Sequence, residues 1–128
     1  MSEFKVNLTA TNPVDRRRST PPVKVMVDTG ALHSWLPKQL LLDAGITPER
    51  KKRFAMANKQ IIERDIGYAI LAAEGYETND EVVFAESGDM ALLGITTVEG
   101  FSVMVDNIGR RFVDTPSLAP ANLPVLGV

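Results

Sequence analysis

The sequence predicts a mainly β domain, a closed or folded barrel of short strands with one or two short helices. Three observations predict it. Apolar side chains alternate with polar ones at Phe4, Val6 and Leu8, which is the period of a half-buried strand. Clusters of Gly, Pro, Asn and Asp recur at short intervals and leave runs too brief for long helices. A length of 128 residues with 45% apolar side chains suits one core and one domain.

The elements follow in order. Residues 4–9 form the first strand. Asn12-Pro13 opens a polar stretch that runs to Pro21-Pro22, and its prolines and the Arg16-Arg17-Arg18 run make it a solvated loop. Residues 23–27 are β-branched and mostly apolar, so they read as a buried strand that stops at Asp28-Thr29-Gly30-Ala31. Ser34-Trp35-Leu36 is the next strand, ended by Pro37. Residues 38–44 form a short helix, with Pro37 at its start and Gly45 as its stop. Residues 53–57 and 60–64 form a hairpin about Asn58-Lys59. Residues 67–73 and 81–85 flank a polar turn that takes in Gly75 and Asn79-Asp80. Residues 96–101 form a second short helix with Thr96 or Thr97 as its cap. A last hairpin joins residues 103–105 to 110–113, and residues 114–128, with Pro116, Pro120 and Pro124, make an extended tail.

Composition excludes several classes of function. The formal charge of −2 gives no strong field, so nucleic acid and anionic membranes are not expected as partners. The absence of cysteine excludes a disulfide framework, a thiolate zinc site and a thiol nucleophile. His33 is the single histidine, which leaves a His-based metal site or triad unsupported. No metal and no cofactor are expected. Met1-Ser2-Glu3-Phe4-Lys5 lacks the features of a signal peptide, and no apolar run is long enough for a membrane span, so a cytoplasmic location is expected.

The chemistry points to Asp28. A carboxylate at the end of an apolar strand is costly if buried without a partner. Gly30 permits a tight turn or a close backbone approach, and the Thr29 hydroxyl can donate and accept. The competing reading is an ordinary turn Asp. Later in the chain Leu92-Leu93-Gly94 precedes the second helix. Leu92, Leu93 and Trp35 are expected in the core, and His33 is expected to be exposed or packed in its loop.

Asp28-Thr29-Gly30-Ala31, the strand before it, Ser34 to Pro37 after it, and Leu92-Leu93-Gly94 ahead of a helix together resemble the retropepsin-like, retroviral-type aspartic proteases, in particular their single-domain bacterial members. The resemblance spans residues 4–112 and implies a protease domain over residues 1–113, with residues 114–128 as a proline-containing tail that is a candidate for part of a dimer interface. It implies a barrel that is one half of an aspartic protease, with Asp28 catalytic and Thr29 and Gly30 supporting a dyad. A flap hairpin over residues 54–63 then makes Ala57, Asn58 and Lys59 candidate substrate contacts, with Ala31. The flap lacks the glycines of the viral enzymes. Residues 4–9, and less readily 123–128, are candidates for the strands that interleave between subunits.

Pepsin-like enzymes carry two such motifs and this chain carries one. A lone carboxylate cannot be both the base that activates water and the acid that protonates the product, so the expected enzyme is a homodimeric endopeptidase with Asp28 and its symmetry mate on the axis. Two carboxylates in contact share one proton, an effect for which aspartic proteases are the standard illustration. Ala31 stands where pepsin-like enzymes commonly have Ser or Thr, so activity is expected in mild rather than strong acid. Peptide or protein is the expected substrate. The other reading the sequence leaves open is a non-proteolytic dimerisation or peptide-binding module on the same fold.

Overall fold

Strand β1 (Lys5–Thr11) buries Val6, Leu8 and Ala10 on one face and leaves Lys5 and Asn7 outside, so the alternation in the sequence is the alternation in the sheet. The computed structural model from which this follows describes residues 3–116. The other strands are β2 (Val23–Val27), β3 (Ser34–Pro37), β4 (Arg50–Ala55), β5 (Ile61–Ala73), β6 (Tyr76–Ala85), β7 (Leu92–Leu93), β8 (Val103–Asp106) and β9 (Arg111–Asp114). Two short helices, α1 (Lys38–Asp43) and α2 (Ile95–Gly100), complete the fold.

The main sheet has 7 strands in the order β1-β2-β7-β3-β6-β5-β4. It closes on itself because β1 pairs with β2 through residues 5–8 and with β5 through residues 9–11. The closed mainly β architecture is therefore the one expected. Closure also engages the candidate interleaving strand, residues 4–9, within its own chain: residues 5–8 pair with β2 and residue 9 with β5. Residues 123–128, the other candidate, lie outside the described residues, as does the tail from residue 117. Asp114 belongs to β9 rather than to a tail.

Inside the ring sit Leu8, Val25, Leu36, Leu71, Val82, Phe84 and Leu93, each 1% exposed or less. Burial of a side chain of this size contributes about 1.5–3 kcal/mol, and these positions dominate the stability of the domain. The β8–β9 hairpin forms its own 2-stranded sheet and closes one end of the core, where Phe112 meets Phe4 at 5.3 Å, Phe101 at 5.9 Å and Tyr76 at 6.0 Å between ring centroids.

Two expectations of local structure are corrected. Residues 61–73 are one unbroken strand, and the turn before β6 is confined to Glu74-Gly75, which take φ of 54° and 85°. That pair of positive φ values suits a two-residue hairpin loop. Asn79 and Asp80, read from the sequence as turn residues, are ladder residues opposite Ile70 and Ala69. Helix α2 is not capped by Thr96 or Thr97. Its cap is Gly94, which has no side chain to cap with, and both threonine hydroxyls are used elsewhere. Helix α1 ends as expected, with Gly45 at φ 74°.

No helix among the described residues is long and apolar enough to cross a membrane.

Candidate active site

The Asp28 loop is suspended between two strands and a helix. Parallel pairing sets Met26 against Leu92 and Val27 against Leu93, and the Asp28 N–H donates to the Leu93 carbonyl at 2.9 Å. A turn follows, closed by Ala31 N–H to the Asp28 carbonyl at 3.1 Å. Within it the Gly30 N–H donates to Asp28 Oδ1 at 2.9 Å, which orients a half-buried carboxyl that has no ion-pair partner among the described residues. Thr29 and Gly30 are exposed. Gly30 does not adopt a positive φ, and a Cβ there would meet only Asp28 Oδ1, at 3.2 Å. A side chain at Gly30 would therefore press on the Asp28 carboxyl itself, while nothing else in the chain lies within 4 Å of that Cβ position.

Beyond the turn the loop is tied to α2. The Ala31 carbonyl accepts from Ile95 N–H at 2.8 Å, and the Leu32 carbonyl accepts from Thr96 N–H at 3.2 Å and from Thr96 Oγ1 at 2.9 Å. Beneath it, Ser34 and Thr97 are fully buried and share a hydrogen bond of 2.6 Å. Thr97 Oγ1 donates to Asp80 at 2.8 Å, so the Ser34 hydroxyl donates to Thr97 and accepts from the Gly94 N–H at 3.0 Å. Gly94 fits because nothing else does: a Cβ would lie 2.4 Å from the His33 carbonyl oxygen. Leu93 is buried in the core as expected, whereas Leu92 is half-buried and faces the cavity beside Asp28.

That cavity, of about 300 Å³, lies between the Gly30–Trp35 segment and the β4–β5 hairpin. Ala31 lines it, with Leu32, Trp35, Phe54 and Met56. A second cavity of about 200 Å³ continues past Trp35, Met56 and Leu92 to Met90. Trp35 is thus a half-buried wall of both rather than a core residue, tilted against Phe54 at 4.9 Å. Ala57, Asn58 and Lys59 form the hairpin's tip, bracketed by Met56 N–H to the Gln60 carbonyl at 2.8 Å, and do not line either cavity. Lys59 holds the left-handed position, φ 67°, that glycine usually fills, and Asn58 Oδ1 accepts from Gln60 N–H at 2.9 Å to secure it.

His33 is buried rather than exposed. Its ring stands edge-on to Phe54 at 5.8 Å, and its Nε2 lies 3.2 Å from Glu81, which also pairs with Arg50 at the base of the hairpin. Burial pushes the Glu81 carboxyl up, but hydrogen bonds from Arg50 and His33 outweigh it and hold it below the ordinary value. Two of the three arginines of the first loop have partners: Arg17 pairs with Asp15, and Arg18 donates to the Asp43 carbonyl at 2.9 Å, at the end of α1.

A second clasp joins the hairpin to the loop before β7. Arg64 donates to both oxygens of Asp89, at 2.6 and 2.9 Å, with only 18% and 13% of the side-chain surfaces exposed. The Arg64 hydrogen bond, with a second from Glu86 N–H, holds the Asp89 carboxyl below its usual value of 3.8 despite burial. Replacing Asp89 with Asn is expected to cost about 2 kcal/mol at neutral pH. A depressed folded-state value stabilises above the unfolded-state value and is lost as pH falls through the folded one. Urea denaturation should therefore find a constant gap between wild type and Asp89→Asn at neutral pH that narrows below about pH 4. A gap that persists undiminished into strong acid would rule the charge pair out as its source.

The aspartyl protease family model matches residues 18–97, a span that holds the Asp28 loop, the hairpin and Leu92-Leu93-Gly94. The chain belongs to the aspartyl protease family. Its fold is the retropepsin-like one. A foamy viral protease–reverse transcriptase, solved in complex with double-stranded DNA, superposes with a TM-score of 0.50 at 11% identity over 96% of this chain and 17% of that one. Prototype foamy virus protease–reverse transcriptase gives a TM-score of 0.45 at 16% identity over 77% of this chain and 11% of that one. The chain thus spans a small part of the length of either, and the likeness to the first concerns the fold alone. No curated protein sequence matches it.

Among the residues that shape this aspartyl protease site, sequence reasoning missed Ser34, Asp80 and Thr97 beneath the loop and Phe54 and Met56 above it. The adjacent Thr96-Thr97 after Gly94 was the available signal. That pair reads as helix capping because its partner Asp80 lies far away in sequence.

Proposed function

We propose that the protein is a homodimeric aspartic endopeptidase in which Asp28 and the Asp28 of a second copy share one proton. The observation that carries this reading is that the site has the parts of one half. Peptide hydrolysis by this route needs a base and an acid. Among the described residues the cavity next to the Asp28 loop is lined by no carboxylate, and Asp89, in the neighbouring cavity, is held by Arg64. A two-fold partner supplies the missing group. The ionised carboxylate of the dyad takes a proton from water, and the protonated one donates to the peptide carbonyl as the tetrahedral intermediate forms. The exposed Thr29 hydroxyl is free to meet its mate across the axis, and the open space above Gly30 admits substrate backbone. Ala31 contacts the substrate from below, and Ala57, Asn58 and Lys59 reach it as the tip of the flap.

Assembly and catalysis are then linked by mass action. Specific activity on a peptide library at mildly acidic pH is expected to fall as the protein is diluted through its dimer dissociation constant, in step with sedimentation. Full activity in a monomeric sample would remove the shared dyad. A dimer that binds peptides and never cleaves them would be a non-proteolytic module instead.

A further inference from the structure

Arg50, Lys52 and Phe54 occupy one face of β4, on which Lys52 and Phe54 are half-buried and Arg50 is exposed. Arg50 pairs with Glu81, and Phe54 packs on His33 and Trp35. Lys52, between them, lines the cavity beside Asp28. On the other face Lys51 pairs with Asp65 at 3.0 Å, and Arg53 stands opposite Glu63. Directly across the hairpin from Lys52 is Arg64, the cation already held by Asp89. Like charges therefore oppose each other on the Lys52 face, and the pair has one acid between them. Among the described residues Lys52 has no ion-pair or hydrogen-bond partner.

Like charges at directly opposed strand positions destabilise a sheet, and an anion entering the cavity relieves that repulsion. The walls around Lys52 are apolar, formed by Leu32, Trp35, Phe54 and Leu92. A carboxylate held there loses part of its water, and its attraction to an ammonium strengthens as the local dielectric falls. The same walls pack the methylenes of an acidic side chain.

We propose that Lys52 makes the cavity beside Asp28 a subsite for an acidic side chain of the substrate, a few residues from the bond that is cut. The proposal rests on the peptidase reading and adds a charge to its specificity. Arg50 and Arg64 cannot take this role, because Glu81 and Asp89 already occupy them.

The test uses peptides selected from a randomised library by cleavage, resynthesised as pairs that differ by Glu or Gln at one position at a time. At one position the Glu peptide is expected to exceed its Gln partner in kcat/KM by at least about threefold at low salt. Lys52→Met should bring that ratio close to one, and Lys52→Glu should invert it. A ratio near one at every position in the wild type, with cleavage intact, overturns the subsite and leaves the peptidase reading. A ratio that survives in Lys52→Met overturns it equally. A preference that requires a free C-terminal carboxylate and vanishes on amidation overturns the side-chain assignment. If the library yields no cleaved peptide, peptides are selected from it by binding to Asp28→Asn protein, and their Glu and Gln pairs are titrated against that protein by fluorescence anisotropy. A Glu preference in binding there, with no cleavage by the wild type, supports the subsite and overturns the peptidase reading.

Discussion

Asp28→Asn is expected to abolish peptide hydrolysis, by at least about three orders of magnitude, while the fold stays intact. The structure explains both halves of that expectation. Asn can still accept the Gly30 N–H at its side-chain oxygen, so the turn keeps its shape. No cation is paired with Asp28 among the described residues, so removing the charge leaves none stranded. What Asn cannot do is exchange a proton. Thermal unfolding should shift by no more than a few degrees. The proposed shared dyad adds a sharper arm. With a ninefold excess of Asp28→Asn chains, only about a tenth of the wild-type chains would sit in wild-type dimers, so activity per wild-type chain should fall about tenfold. Undiminished activity in that mixture would sink the shared dyad, and wild-type rates from pure Asp28→Asn protein would sink Asp28 itself.

Gly94→Ala should cause the largest loss of stability of any single methyl group added to this site. Its backbone, φ −92° and ψ 172°, suits any residue, so the cost is steric. The new Cβ would lie 2.4 Å from the His33 oxygen, 2.5 Å from the His33 carbonyl carbon and 2.9 Å from the Leu32 oxygen. Those atoms belong to the segment that Ile95 and Thr96 clamp to the Asp28 loop, so relief requires α2 and the loop to part. An overpacked methyl against fixed backbone costs about 3 kcal/mol, which lowers Tm by about 10 °C in a domain of this size. Activity should fall further than stability accounts for, because the displaced segment carries the carboxylate. A Gly94→Ala protein with wild-type Tm and wild-type kcat would refute the clamp.

The parts of the site that were legible in the sequence are those made by consecutive residues. Asp28 to Ala31 form a turn from their own side chains and amides, and Leu92-Leu93-Gly94 carries its steric requirement in the glycine. What stayed hidden depends on pairs distant in sequence. Asp80 reads as a turn residue because Asn79-Asp80 is turn chemistry, yet the ladder with β5 holds both in a strand and α2 gives Asp80 its partners. Trp35 and His33 alternate correctly on β3 and its approach, but alternation cannot tell a core face from a cavity wall. Only the hairpin folding over them, through Phe54, makes that difference. Ring closure was expected as an architecture, while the strand that performs it, β1 shared between β2 and β5, was not identifiable from pattern alone.

The unbroken run of β5 has a mechanical consequence. From Ile61 to Ile66 it pairs with β4, and from Ile66 to Ala73 with β6, so the arm over the cleft is a cantilever built into the barrel wall. Its root is stiff: Gly67 is wedged so closely that a Cβ would lie 2.6 Å from the Thr47 oxygen and 2.9 Å from the Phe84 ring. Such an arm flexes elastically along its length instead of swinging on a hinge, and its tip deflects most. An extended polypeptide can be threaded beneath it at small deflection, whereas a folded loop must prise it up against the whole ladder. In the peptidase proposed above, such an arm would favour extended chains over folded loops.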